Sequence, residues 1–145
     1  MKTVILLRHS EPISDRTKPT ELLPLSERGY AKAHKFFSLD IFHRVGAVYS
    51  SPYKRAYSTA EMLCRHITVD SRLRERELGT PETLSPEFWS RQYEDHDYKN
   101  TGGESLNDVK CRMTEAVGEI LSSMQAGGTV AVVSHAAAIC ALLLN

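Results

Sequence analysis

The chain is predicted to fold as an α/β protein, a three-layer α/β/α sandwich around a mainly parallel central sheet. The expectation rests on two short, continuous apolar runs, Val4–Leu7 and Val130–Val133, and on segments of helical period that alternate with the short apolar stretches. Strands that are apolar at every position are buried on both faces, which is the condition of a parallel sheet covered by helices. At 145 residues the chain suits one domain over 1–145, able to bury about 70% of its unfolded surface without staples.

Val4–Leu7 reads as a central strand that delivers Arg8 and His9 at its carboxyl end, where open α/β sheets keep their ligands. Pro12–Pro24 is polar and without period, a long loop beside that strand end. A helix opens at Leu25–Ser26, with Ser26 as N-cap, and runs to about Asp40. Gly29 in its first turn is a poor helix former and signals a close approach to that backbone. Val45–Tyr49 is a second strand, and Ser51 and Pro52 start a helix that carries Arg55 in its first turn and runs to about His66. Ile67–Val69 is a short strand, and Leu73–Leu78 is extended, with Glu75 and Glu77 on one face by alternation.

From Pro81 to Gly103 the pattern is irregular, with a short helix from Ser85 whose apolar face would be Phe88, Trp89 and Tyr93. Leu106, Val109, Met113, Ala116, Ile120 and Met124 recur at three and four, the clearest helix in the chain, from Ser105 to Gly127. Thr129–Ser134 is a strand ended by His135. Ala136–Leu144 begins a packed helix in which the sequence stops without a C-cap, as a truncated domain would.

Composition narrows the function. Lys+Arg and Asp+Glu balance at 18 each, so no global charge selects nucleic acid or an anionic membrane. Cys64, Cys111 and Cys140 are odd in number and form no Cys-x-x-Cys pair, which suggests reduced packing residues and a cytoplasmic protein. No cysteine precedes an arginine by six, so a cysteine-phosphatase loop is missing. So are the Gly-x-x-x-x-Gly-Lys loop, Gly-x-Gly-x-x-Gly, Gly-x-Ser-x-Gly and His-Glu-x-x-His. The apolar runs are far short of the ~20 residues of a membrane span. Asp95, His96 and Asp97 lack a second ligand cluster, so no metal site is expected.

On a parallel sheet the ends of the first and last strands would bring His9 and His135 together, with Arg8 and Arg55 beside them. Guanidiniums match phosphate oxygens in geometry and stay charged, and the start of the Ser51 helix would add backbone donors. A neutral imidazole held among arginines keeps a lone pair that can attack phosphorus. Glu75 is the candidate proton donor to the leaving alkoxide, with Glu77 as the other carboxylate on its face.

These residues fall in an order that resembles the histidine phosphatase superfamily, in its phosphoglycerate-mutase-like branch, from Val4 to about Leu143. The family's Arg-His-Gly-Glu is similar to Arg8 His9 Ser10 Glu11, and its leucine-hydroxyl-x-x-Gly helix start to Leu25–Gly29. Its Ser-Ser-Pro-x-x-Arg-Ala block resembles Ser50–Ala56, followed by Thr59 and Ala60. Its Glu-x-x-x-Gly element is similar to Glu75–Gly79, its Gly-Gly-Glu-Ser turn to Gly102–Ser105, and its closing Val-Ser-His to Val133–His135. The resemblance implies a phosphoglycerate mutase-like fold and a metal-independent phosphatase that needs no cofactor. It implies His9 as the nucleophile that forms a phosphohistidine, Arg8, Arg55 and His135 as the substrate-binding phosphate clamp, and Glu75 as proton donor. The partner expected is a small phosphorylated substrate or a phosphoprotein, and neither nucleic acid nor membrane. A mutase, or a catalytically silent module that binds a phosphate ligand, are the alternatives. Ser10 stands in place of the family's glycine, Asp15 where many members carry an asparagine, and Thr80 and Pro81 where a glycine-aromatic continuation is common.

Overall fold

The computed structural model describes residues 1–63 and 66–144, so Cys64 lies outside it. In chain order its elements are β1 (Thr3–Arg8), α1 (Glu27–Phe37), β2 (Ala47–Ser50), α2 (Lys54–Glu61), β3 (Ile67–Val69), α3 (Phe88–Glu94), α4 (Leu106–Ser123), β4 (Thr129–Ser134) and α5 (Ala136–Leu143). The four strands form one parallel sheet in the order β1-β4-β2-β3. β4 is flanked on both sides and is buried from Val130 to Ser134, as its unbroken apolar run requires.

Alternate β4 residues feed two cores. Val130 and Val132 pack on one face with Val109, Met113 and Ala116 of α4 and Ala138 and Ala141 of α5. Ala131 and Val133 pack on the other with Leu7, Phe42, and Ala56 and Ala60 of α2. Helices therefore cover both faces, and the expected three layers are present. Among the described residues no helix is long and apolar enough to cross a membrane.

Local signals place most boundaries. Ser26 caps α1 by accepting from Gly29 N–H at 2.9 Å. Ser105 and Asp108 form a capping box at the start of α4, with bonds of 2.9 and 3.0 Å.

Four expectations need correction. α1 ends at Phe37, and a separate 3₁₀ turn, Asp40–Arg44, brings Phe42 into the core. α2 starts at Lys54 rather than at Pro52 and ends at Glu61, because Ser51 is drawn into other bonds described below. In α3 the buried positions are Phe88 and Gln92, one turn apart, while Trp89 and Tyr93 are 53% and 65% exposed. The cysteines that are described, Cys111 and Cys140, are free as expected, yet exposed rather than packed.

Gly29 does mark a close approach. A Cβ there would lie 2.1 Å from the Glu11 carbonyl oxygen. Ser10 Oγ–H donates to the Gly29 carbonyl at 2.7 Å, and Ser26 N–H donates to Glu11 O at 2.9 Å, so the first turn of α1 clamps the chain leaving β1. Gly79 has φ +75° and approaches Thr101 O within 2.2 Å of its missing Cβ, which seats the Glu75–Gly79 segment against the Gly102–Gly103 turn. Gly29→Ala should lower the urea unfolding free energy by about 2 kcal/mol, although Ala is the better helix former, because the carbonyl it meets is backbone and cannot swing away. Unchanged stability would show that the turn yields freely.

Candidate active site

The β1–β4 register pairs Arg8 with Ser134, so the residues just beyond both strand ends are neighbours. His9 N–H donates to Ser134 O at 3.0 Å, and the rings of His9 and His135 meet edge to face with centroids 5.0 Å apart. Ser134 is held in turn, its hydroxyl donating to Leu73 O at 2.7 Å.

His9 has one tautomer imposed on it. Nδ1–H donates to the Ser10 carbonyl at 2.6 Å, which leaves the lone pair on Nε2. Arg55 Nε–H donates to that lone pair at 3.0 Å, while Arg55 Nη1 donates to Thr20 O at 2.5 Å. Arg55 is 6% exposed and lies 5.0 Å from the centre of the Tyr53 ring. Thr59, one turn further along α2, links the helix to the nucleophile's loop: it accepts from Ser10 N–H at 3.0 Å and donates to Arg55 O at 2.7 Å.

Burial holds His9 down to about 4, reinforced by the charges of Arg55 and Arg8 and opposed by the bond to Ser10. Burial, then the charges of Arg55, Arg112 and Arg8, holds His135 down to about 2. Both imidazoles are therefore neutral at pH 7.

His135 is fully buried and follows the end of β4 as N-cap of α5. Ser51 Oγ accepts from Tyr53 N–H at 3.2 Å, and its own proton goes to His135 Nε2 at 2.8 Å. The ring proton of His135 then sits on Nδ1, which is buried with no hydrogen-bond partner. A buried N–H left unpaired beside a nucleophile is a donor waiting for an anion. The Ser51 bonds also account for the late start of α2, and of the backbone donors expected at that helix start the Tyr53 N–H is already taken by Ser51 Oγ.

Glu75 is half-buried. Its Oε1 accepts from Arg76 N–H at 2.9 Å and from Ala138 N–H, in the first turn of α5, at 3.1 Å. Both bonds fall on one oxygen, so Oε2 is the atom able to carry a proton. The segment is clamped from behind by Arg112, which donates to the carbonyls of Arg72, Arg74 and Glu75 at 2.5, 3.0 and 3.3 Å and grips Glu104 at 2.7 and 2.9 Å. Glu77 is more exposed and pairs with Arg74 at 3.2 Å.

Arg8 is exposed, and its side chain makes no hydrogen bond among the described residues. A cavity of about 370 Å³ is bordered by Arg8, His9, Ser10 and Lys32. A second, of about 530 Å³, is bordered by Arg55, Tyr53, Glu75 and Glu21. The Arg55–His9 bond joins a residue of one wall to a residue of the other. Asp15, whose charge would oppose phosphate, is turned into its own loop, with Thr17 at 2.6 Å and Lys18 at 3.3 Å. The structure thus brings together His9, His135, Arg55 and Glu75, with Arg8 at the rim. Sequence reasoning missed Thr20, Tyr53 and the contact of Ser51 with His135. Ser51 had a signal in its Ser-Ser-Pro block, whereas Thr20 and Tyr53 had none.

The chain is similar to several known proteins. A bifunctional protein of Mycobacterium tuberculosis is 36% identical over 111 residues, which cover 68% of this chain and 30% of that protein. The chain thus spans less than a third of that relative. A probable phosphoglycerate mutase of Salmonella choleraesuis is 31% identical over 159 aligned positions, covering 96% of this chain and 72% of the relative. Among solved structures, a mycobacterial glucosyl-3-phosphoglycerate phosphatase in complex with inorganic phosphate superposes with a TM-score of 0.78 at 28% identity, over 96% of this chain and 75% of that one. The match to a whole family runs from residue 4 to 145, and with it the chain belongs to the histidine phosphatase superfamily, branch 1.

Proposed function

We propose that the chain is a metal-independent phosphatase that hydrolyses phosphate monoesters through a phosphohistidine on His9. The observation that carries the reading is the state of His9: a neutral imidazole whose Nδ1–H is fixed on Ser10 O and whose Nε2 lone pair lies beside Arg55 and the unpaired Nδ1–H of His135. The phosphatase and mutase relatives support the same chemistry for small phosphorylated substrates. Free Cys111 and Cys140 support a cytoplasmic setting.

In the first step the phosphate takes over the donors of Arg55, His135 and Arg8. Arg55 Nε–H exchanges His9 Nε2 for a phosphate oxygen, which frees the lone pair. Nε2 attacks phosphorus, the bond to the ester oxygen breaks, and Glu75 Oε2 passes its proton to the departing alkoxide. The Nδ1–H bond to Ser10 O holds the phosphorylated ring in place. In the second step water attacks phosphorus, Glu75 takes the proton, and His9 is regenerated as phosphate leaves. Arg8 and Glu21 are exposed at the two cavities, so water reaches the intermediate, which favours hydrolysis over a mutase.

Release of p-nitrophenol from p-nitrophenyl phosphate in the presence of a chelator tests the reading. Turnover should resist the chelator and fall by at least about a thousandfold in His9→Ala. No turnover by the folded native chain would overturn it, and phosphoryl transfer between the hydroxyls of a phosphoglycerate without phosphate release would mark a mutase.

Glu75→Gln should cost about a hundredfold or more with an alkyl phosphate, whose alkoxide needs the proton, and less in the phosphohistidine-forming step with p-nitrophenyl phosphate, whose nitrophenolate does not. An equal loss with both in that step would remove the acid role.

The pH profile follows from the sign of the shift. The ordinary histidine value is 6.5 and that of His9 is about 4, so the nucleophilic form persists above about 4 and is lost only below it. The acid limb of kcat/KM, corrected for substrate ionisation, should therefore fall near 4. A limb near the ordinary value would mean that His9 is not held neutral.

A further inference from the structure

An imidazole can offer a bound anion either a proton or a lone pair, and in His135 the choice falls to its neighbour Ser51. His135 Nε2 lies 2.8 Å from Ser51 Oγ, and both residues are fully buried. Ser51 Oγ already accepts from Tyr53 N–H at 3.2 Å, so its own proton points elsewhere. Two arrangements remain. With the ring proton on Nδ1, the Ser51 hydroxyl donates to Nε2, and only Nδ1–H is left without a partner. With the ring proton on Nε2, the hydroxyl turns acceptor, and both its proton and the Nδ1 lone pair are stranded away from water. Stranding two buried polar groups costs more than stranding one, so the first arrangement wins.

Nothing else around the ring makes that choice. His9 and Tyr53 each meet it edge to face with centroids 5.0 Å apart. Arg55, Arg112 and Arg8 act on it as positive charges, and Glu75 is engaged at Ala138 N–H in the turn that follows. The arginines oppose a second ring proton and, having only donors, accept none from either nitrogen. With Nδ1 protonated, the groups offered to the phosphoryl oxygens are His135 Nδ1–H and the guanidiniums of Arg55 and Arg8, and all of them donate. A fully ionised phosphoryl group has oxygens that only accept, so it is matched throughout. The singly protonated ester would bring a P–O–H into the same pocket and find nothing to accept it.

We propose that Ser51 is a positioning residue whose hydroxyl fixes the His135 proton on Nδ1, which makes the phosphate clamp donor-only and selects the ester dianion over its monoanion. This rests on the phosphatase reading above and narrows it to one ionic form of the substrate. Ser51 touches no reacting atom and acts through His135 alone.

Nitrogen–proton correlation spectra of the imidazoles show which ring nitrogen carries the proton. In the resting native chain His135 should carry it on Nδ1, and in Ser51→Ala both forms should appear. A native proton on Nε2 would overturn the proposal. The second readout is the kcat/KM of p-nitrophenyl phosphate, whose phenolate leaves without a proton, left uncorrected for substrate ionisation. In the native chain it should fall at the ester's own second ionisation, roughly 6 or a little below for an aryl ester, ahead of the limb near 4 that His9 sets. A rate that holds down to about 4 would mean that the monoanion serves equally, and the proposal would fail. Ser51→Ala should lower the rate of the dianion about tenfold, the scale of one lost buried hydrogen bond, and leave that of the monoanion nearly unchanged, so the step between them shrinks. Ser51→Thr, which keeps the hydroxyl, should restore the step. A residue serving only as scaffold would lower both rates together and leave the step intact, which also counts against the proposal. Should Ser51→Ala not fold, the native spectrum and the native profile decide. If p-nitrophenyl phosphate is turned over in a His9-dependent way without the step, only this proposal fails. If nothing is turned over, the phosphatase reading fails and takes the choice of dianion with it.

Discussion

The site depends on the pairing of β1 with β4. Six consecutive pairs, from Thr3 with Thr129 to Arg8 with Ser134, hold two strands that are far apart in sequence, and the ladder continues by one bond, from His9 N–H to Ser134 O. A slip of one residue would turn the side chains of β1 to the opposite face and carry His9 away from His135. The register is protected because alternate residues of β4 are committed to two different cores, so a slip would also bury the wrong residues against α2, α4 and α5.

Burial then does chemical work on the histidines. A fully buried, neutral His135 costs far less than a charged one would, and the neighbouring arginines penalise the protonated form of either ring. The same surroundings that keep the imidazoles neutral are ready to receive an anion. Arg55 shows the economy of the arrangement. Its desolvated guanidinium donates to Thr20 O and to the His9 lone pair, and both acceptors can give way to phosphate oxygens without leaving those donors unpaired.

Glu75 is held by different means. No strand carries it, and the segment from Arg74 to Thr80 has no ladder of its own. Arg112 and Glu104 replace the ladder: one arginine from α4 grips the carbonyls of Arg72, Arg74 and Glu75 and a carboxylate, both side chains being about a tenth exposed. Charge-assisted bidentate bonds in so dry a place are strong, and losing one partner would leave the other buried and unpaired. The Gly79 turn against Gly103 closes the other end of the segment.

Much of this was legible in the sequence. The strands β3 and β4, the start of α4 at Ser105 and the close approach at Gly29 follow from local rules, because apolar period, capping chemistry and glycine placement act over a few residues. The set His9, His135, Arg8, Arg55 and Glu75 was named instead from the ends of the apolar strands and from the order of motifs that resembles the family. Other features were decided only by the tertiary structure. Ser51 looked like a helix cap, yet its hydroxyl is claimed by His135, 84 positions away. Trp89 and Tyr93 looked like a core face, yet the position that α3 buries beside Phe88 is Gln92, because the Arg76 guanidinium needs an acceptor there. Thr20 holds Arg55, and Glu21 comes to border the same cavity as Glu75, through a loop without period. Hydrogen bonds and charges between distant segments leave no periodic trace in the chain, so their partners are chosen only when the sheet brings them together.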